Sequence, residues 1–430
     1  MKLFLSIIAS CCVIFSYSQG CAFFRMADLP EPVSNNAVTG FTKNNQNFIY
    51  SFGGIDSTKS YDGIHGKVFK AEKGAATWLS LGNWPDSLGK IGVGASTVKN
   101  KIYIIGGYSV DSVGNEVSSN RVHIFDPLTD TFLADGAPIP IAIDDHVQAV
   151  FKDSLIYVIT GWSNTGNVAD VQIYNPALNV WSVATSVPNN NNYMAFGATG
   201  TIVGNTIYYS GGASTGLNFP IANVLRKGII DSLDPTAITW SHNFDTKAGV
   251  YRGLMINRTS DAILNLGAKE TYNYDGLSYS ANLGVSPVDS ASYFVLRTFS
   301  DMLQSDYCSN IPKLMDLRGY ASFGNFSIAI AGGMEENQKV SKKAYRRTFF
   351  MSAEDKLVAK PKIFYGAGFV EVVANNFSDM KLYDVNGKLL VQISNAKTYK
   401  LNNADYAPGM YHVLVKNSQG VSSTKLIIGY

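Results

Sequence analysis

Three residues suited to recognition chemistry share one offset. His146, Arg252 and Arg318 each lie fourteen positions before the end of an apolar run, at 160, 266 and 332. Three further runs place Thr39, Gly92 and Gly197 at the same offset. If the offset is structural, two guanidiniums and an imidazole converge on one point, with small residues opposite. Tyr108, Trp162, Lys269, Glu270, Glu335 and Glu336 follow the run ends on the same side. Arginine forks onto carboxylates and flat rings cover sugar faces, so the set suits a sugar or a carboxylated small molecule. A bland use stands beside this one. Arginines can tie backbone carbonyls together, His146 after Asp144 and Asp145 suits a local hydrogen bond, and Glu335 and Glu336 suit a solvated surface.

Other chemistries find little support. The five histidines, at 65, 123, 146, 242 and 412, form no close ligand pair, so neither a metal nor another cofactor is expected. There is no Gly-x-Ser-x-Gly elbow and no phosphate-binding glycine loop. A charged fraction of 16%, a net charge of +2 and no basic run make nucleic acid a poor partner.

The elements that must hold these residues are the runs themselves. Lys101-Ile102-Tyr103-Ile104-Ile105-Gly106-Gly107-Tyr108 is rich in β-branched and aromatic residues and stops at two glycines, which reads as a buried strand. Five imperfect copies follow the same pattern, and the six end at positions 53, 106, 160, 211, 266 and 332. The intervals of 53, 54, 51, 55 and 66 suit four short strands with loops per repeat. A strand and a tight turn precede each run. A polar loop and a third strand follow it, as in Val122–Pro127 and Val171–Pro176. A fourth strand carries an aromatic: Trp78, Phe132, Trp181 or Trp240.

Residues 24 to about 352 resemble a kelch-repeat β-propeller, which implies an all-β fold of six blades around an axis. Phe24–Pro30 resembles a fourth strand without a blade, and the sixth repeat lacks a fourth strand after Ala344–Met351. The N-terminal segment is therefore expected to close the last blade. Met1–Ser18 reads as a signal peptide cleaved before Gln19, with a lipobox-like Ile8-Ala9-Ser10-Cys11 as the alternative. Cleavage leaves Cys21 and Cys308 flanking the ring closure. A disulfide there would restrict most of the chain, and two free or buried thiols are the other possibility. No apolar stretch is long enough to span a bilayer, and a monomer is expected.

After a polar linker the repeat stops, placing the boundaries at 19–355 for the propeller and 356–430 for a second, small sandwich of immunoglobulin type. Leu382-Tyr383-Asp384-Val385-Asn386-Gly387-Lys388, Pro408-Gly409-Met410-Tyr411 and the final strand Lys425–Ile428 resemble the type IX secretion C-terminal sorting domain. That resemblance implies a Gram-negative host, recognition by the type IX machinery and delivery outside the cell. Asp-Ser followed by a small or apolar residue recurs at 56, 86, 111, 153, 231 and 289. It resembles an O-glycosylation sequon of such hosts and is also a good turn dipeptide.

The expectation is a secreted or surface-displayed binding propeller for a carbohydrate or a protein. The alternative is a sugar enzyme resembling the N-acetylneuraminate epimerases, whose last blade is similar to Arg318-Gly319-Tyr320 with Gly332-Gly333 and Glu335. That family's Gly-Glu reads Gly267-Ala268 here, with Glu270 displaced from the position of its base. A galactose-oxidase-like copper site would need a Cys–Tyr crosslink and two histidine ligands that the repeats do not supply.

Overall fold

The computed structural model describes residues 23–259, 262–272, 284–295, 307–308, 311–323, 327–348, 361–384, 389–417 and 420–429. The expected signal peptide, Cys21, the linker and the Asn386-Gly387 turn lie outside the described residues, so the expected disulfide lies outside them too. The chain divides into two compact units, Met1–Phe349 and Phe350–Tyr430. Among the described residues no helix is long and apolar enough to cross a membrane.

The first unit is a ring of six antiparallel sheets, five built from one repeat each and the sixth completed by a strand from the start of the chain. Blade one uses Ala37–Lys43, Gln46–Phe52, Lys67–Glu72 and Leu79–Asn83 in that order from the axis outward. Blade two begins at Ile91–Val98 and blade three at Val147–Phe151. Blade four begins at Thr199–Val203 and blade five at Tyr251–Thr259. Blade six runs Ala321–Ser322, Ser327–Ala331 and Ala344–Thr348, and its outer strand is Phe24–Arg25 from the start of the chain. Phe24 pairs with Arg346 and Arg25 with Tyr345, so the N-terminal segment closes the ring.

The glycine pairs have a geometric cause. Gly106 has φ +70° and Gly211 has φ +62°, and a Cβ would lie 2.3 Å from the Ile143 carbonyl oxygen in the first case and 2.0 Å from that of Val250 in the second. The next residue then donates its N–H to that same carbonyl, Gly107 to Ile143 at 2.9 Å and Gly212 to Val250 at 2.8 Å. Both carbonyls belong to the segment that leads into the following blade. Blade three has Thr160 at this position, with φ +44°, and its hydroxyl accepts from Ala195 N at 3.1 Å. A side chain there replaces the contact that backbone makes elsewhere.

The fourth-strand aromatics lie between blades. Trp181 Nε1 donates to Ala137 O at 2.8 Å, Trp240 Nε1 to Thr185 O at 3.0 Å, and Trp78 Nε1 to Ala27 O at 2.9 Å. Trp78 is buried and Trp181 and Trp240 are half-buried, and each indole spends its one donor on the adjoining segment. Four of the Asp-Ser dipeptides are side-chain-capped turns: Asp56, Asp86, Asp111 and Asp231 each accept from the backbone N–H two residues on.

The second unit is a sheet ordered Lys362–Gly366, Phe369–Tyr383, Gly409–Asn417 and Gly420–Ile428. Leu389–Asn402 pairs along the long second strand. Val370, Val372, Met380, Leu382, Tyr411, Val413 and Leu426 form its core.

Candidate functional site

The segments leading into the innermost strands repeat one piece of geometry six times. A residue bridges to the loop after the glycine pair: Ser34 with Ile55, Ile91 with Tyr108, Asp144 with Trp162, Phe196 with Ala213, Tyr251 with Ala268, and Met315 with Met334. The next residue has positive φ in every blade: Asn35, Gly92, Asp145, Gly197, Arg252 and Asp316. Glycine, asparagine and aspartate tolerate this conformation, and arginine adopts it rarely. These residues form a hydrogen-bonded circle about the axis. Asp145 N donates to Gly92 O at 2.9 Å, Gly197 N to Asp145 O at 2.8 Å, and Arg252 N to Gly197 O at 2.8 Å. Leu317 N donates to Arg252 O at 3.0 Å and Asn35 N to Asp316 O at 3.1 Å. The Asn35 side-chain oxygen closes the circle by accepting from Gly92 N at 2.7 Å.

The fourteen-residue offset therefore misses the equivalent residue in three blades. It picks Thr39, His146 and Arg318 where the bridges pick Asn35, Asp145 and Asp316. Blade one has a longer inner hairpin, and blade three turns through Lys152, Asp153 and Ser154. The equivalent ring thus holds two carboxylates and one guanidinium rather than three basic groups. Both arginines still reach the axis. Arg252 Nη2 lies 2.5 Å from Asp145 Oδ2, and its Nη1 lies 3.8 Å from Asp316 Oδ1. Arg318 Nη1 lies 3.6 Å from Asp145 Oδ1. Arg318 Nη2 donates to His146 O at 2.9 Å and to Gly92 O at 3.3 Å. Asp316 accepts from Ser34 at 2.7 Å and from Tyr272 at 3.0 Å. Asp144 accepts from Ser118 at 2.6 Å.

Burial sets the electrostatics of this plug. It would raise the Asp145 carboxyl, but the guanidiniums of Arg252 and Arg318 outweigh it and hold the group below its usual range. Burial and the charge of Asp145 push Asp144 well up. Burial also raises Asp316, against the opposing pull of Arg252. Burial, helped by the charge of Arg318, pushes the His146 imidazole down to about 3. His146 is therefore neutral near pH 7.

Above the plug, side chains from all six blades form an apolar cap that includes Ile55, Tyr108, Phe196, Tyr272 and Met334. Tyr108 is buried in it, and Trp162 packs edge-on against Phe196 at 5.3 Å and Phe219 at 5.8 Å. Glu270 and Lys269 are exposed, and Lys269 pairs with Asp289. Glu335 accepts from Ser341 and from Lys343, each at 2.8 Å. Burial raises the Glu335 carboxyl less than these two contacts lower it, so it sits below its usual range. His146, Arg252 and Arg318 thus come together, Tyr108 and Trp162 lie in the cap, and Glu270 and Glu335 are on the surface around it. Asp145, Asp316 and Tyr272 were missed. The asparagine and aspartates at Asn35, Asp145 and Asp316, residue types that accept positive φ, were the available signal.

Below the plug the axis opens into a cavity of about 1210 Å³. All six innermost strands line it. Its deep end holds His146 and Arg318, and its mouth lies among the exposed turn residues Lys99, Asn100, Asp153 and Gly204. Among the described residues no cluster of histidine, cysteine, aspartate and glutamate could hold a metal ion.

Comparison with known proteins agrees with this architecture. Residues 91–133 match the family described as Kelch motif, and residues 367–429 match the Secretion system C-terminal sorting domain. Beta-scruin of Limulus polyphemus is 30% identical over 158 residues, which is 35% of this chain and 16% of that protein. The solved structure of YjhT superposes with a TM-score of 0.56 at 15% identity, covering 74% of this chain and 96% of that one, a likeness of fold. The chain joins a six-bladed propeller of kelch type to a type IX secretion C-terminal sorting domain, which marks it for secretion or cell-surface attachment in a Gram-negative bacterium.

Proposed function

We propose that the exported propeller is a binding module for an extracellular carbohydrate, without catalysis. The observation that supports this reading is the condition of the groups that could transfer protons. His146 is held neutral far below its ordinary range, Arg252 and Arg318 face buried carboxylates, and Glu335 is held as a carboxylate by Lys343 and Ser341. An acid–base catalyst needs a group whose pKa lies near the working pH. None of these four groups meets that need, and the two carboxyls that burial raises, Asp144 and Asp316, are shut inside the plug on hydrogen bonds from Ser118 and from Ser34 and Tyr272. A scaffold with a deep axial cavity and stable charges suits retention of a ligand better than turnover.

The test is a glycan-array screen on the full chain, with N-acetylneuraminate anomer and epimer interconversion followed by NMR in parallel. Specific glycan binding without interconversion is the expected result. Turnover that survives purification to homogeneity would replace this reading with the epimerase-like one. Array silence together with capture of a defined surface protein would move the ligand class from carbohydrate to protein.

A further inference from the structure

We infer that the axial cavity is the ligand site, entered from the face carrying the inner hairpin turns, and that it selects an uncharged polyhydroxylated ligand over an acidic one. This rests on the binding reading above and specifies it. The opposite face of the axis is filled, first by the charged plug and then by the apolar cap. A small molecule reaching the axis must come from the side of Lys99, Asn100 and Asp153. The volume of about 1210 Å³ slightly exceeds the roughly 300–1,000 Å³ of typical small-molecule pockets.

The wall chemistry decides the ligand class. The lining carries hydroxyls and amides, and much of its donor capacity is already engaged. Thr97 donates to Gly40 O at 2.7 Å, which leaves Thr39 as the donor in the 3.0 Å contact between the two hydroxyls. Gln148 Nε2 donates to Ser96 Oγ at 2.9 Å and to Tyr103 O at 3.4 Å, which fixes the amide orientation. Its Oε1 therefore faces His146 Nε2 at 3.1 Å, the imidazole proton sits on Nε2, and Nδ1 is an acceptor. Among the described residues lining the cavity, the buried side-chain atoms left without a hydrogen-bond partner are His146 Nδ1 and Asn257 Oδ1, and both are acceptors.

Arg318, the cation at the deep end, adds few free donors to this wall. Its Nε and Nη2 go to the carbonyls of Val93, Gly92 and His146, and its Nη1 faces Asp145. A carboxylate or sulfate needs donors and would meet a wall with surplus lone pairs. A neutral sugar or polyol brings hydroxyl donors to those lone pairs. At the mouth, Lys99 and Asp153 oppose each other in sign.

The experiment is saturation-transfer NMR and calorimetry on the full chain with maltose, N-acetyllactosamine and myo-inositol, against N-acetylneuraminate and glucuronate. Two variants accompany it. Thr201→Trp fills the cavity, and Asn100→Trp narrows the mouth from an exposed turn where folding is little affected. The inference expects at least one neutral probe to bind at least tenfold more tightly than either acid, and at least tenfold more weakly to a folded variant. Equal or stronger binding of the acids overturns the selectivity. Neutral binding unchanged in Asn100→Trp and in folded Thr201→Trp overturns the site while leaving the binding reading intact. Absence of binding by every probe, with the glycan array also silent, overturns both.

Discussion

Arg252 reaches across the propeller axis from blade five and places both Nε and Nη2 on a single oxygen of Asp145 in blade three, at 3.1 and 2.5 Å. Neither residue is more than marginally exposed, at 1% and 2% of the side chain. Breaking a buried pair by removing one partner leaves an uncompensated charge and costs about 3–5 kcal/mol. Replacing both partners with neutral groups of similar shape removes that penalty. Arg252→Met is therefore expected to lose about 3–5 kcal/mol, and Arg252→Met with Asp145→Asn to recover only part of it, because Asp145→Asn also takes the carboxylate from Arg318. Denaturant unfolding of the two single variants and the double variant measures the coupling. Additive losses would show that the pair is not the element closing the axis.

His146 makes the fold sensitive to acid through its burial. Its ordinary pKa is near 6.5, and burial with the neighbouring Arg318 charge lowers it to about 3 in the fold. Between these values the unfolded chain binds a proton that the folded chain refuses. Stability from this group is present above pH 6.5 and is lost as pH falls toward 3. The full difference amounts to roughly 5 kcal/mol at 1.36 kcal/mol per unit. Asp144 and Asp316, both raised, act in the opposite sense, because the fold favours their protonated forms and gains as pH falls through their folded values. The comparison of wild type with His146→Gln isolates the histidine. The stability advantage of wild type at pH 7 is expected to shrink and reverse by pH 4 in melting experiments. A constant gap would show that His146 does not carry the acid sensitivity.

The glycine pair makes a sharper prediction than ordinary turn glycines do. Gly211 has φ +62°, and its missing Cβ would sit 2.0 Å from the Val250 carbonyl oxygen, which is backbone of the next blade. Gly211→Ala then combines an unfavourable conformation with a clash that no rotamer relieves, at a cost of about 2 kcal/mol or more. Gly204 has φ +60° and open space around it, so Gly204→Ala bears the conformational part alone. Thermal melts should place the two variants well apart. Equal destabilisation would mean that the inter-blade contact adds nothing.

Much of the fold was legible because its signals are local. The glycine-ended runs, the Asn/Asp-Pro turns and the fourth-strand aromatics are consequences of strand burial and turn chemistry, and each recurs within one blade. Even the ring closure by Phe24 and Arg25 could be read, since a strand without a blade and a blade without a strand imply each other. The site was less legible because its equivalences are set by pairing. Counting residues put Arg318 in the place that the bridge between Met315 and Met334 gives to Asp316. Hairpin length varies between blades, and no fixed offset survives that variation. The partner of Arg252 lies 107 residues away, and such a contact leaves no periodic trace.

The closing strand supplies the last prediction. Met26 N donates to Ala344 O at 2.9 Å and Leu29 N to Lys342 O at 2.8 Å. Ala27 O accepts from the Trp78 indole at 2.9 Å, which links the seam to blade one. Leu29 is buried in a cluster that spans blades six and one, with Ala321, Ala329, Ile49 and Trp78. A chain starting at Glu31 loses these three hydrogen bonds, about 1 kcal/mol each, and the burial of Leu29, about 2 kcal/mol. The total is roughly 5 kcal/mol, a large part of the 5–15 kcal/mol that stabilises a typical domain. It also bares Ala344–Thr348 as an unpaired edge, which favours self-association. The truncated chain is expected to melt much earlier and to elute as higher assemblies in size-exclusion chromatography. Adding a peptide spanning residues 19–30 should restore part of the lost stability by refilling the edge. A truncated chain that stays monomeric and melts with the full protein would show that the ring is held without its N-terminal strand.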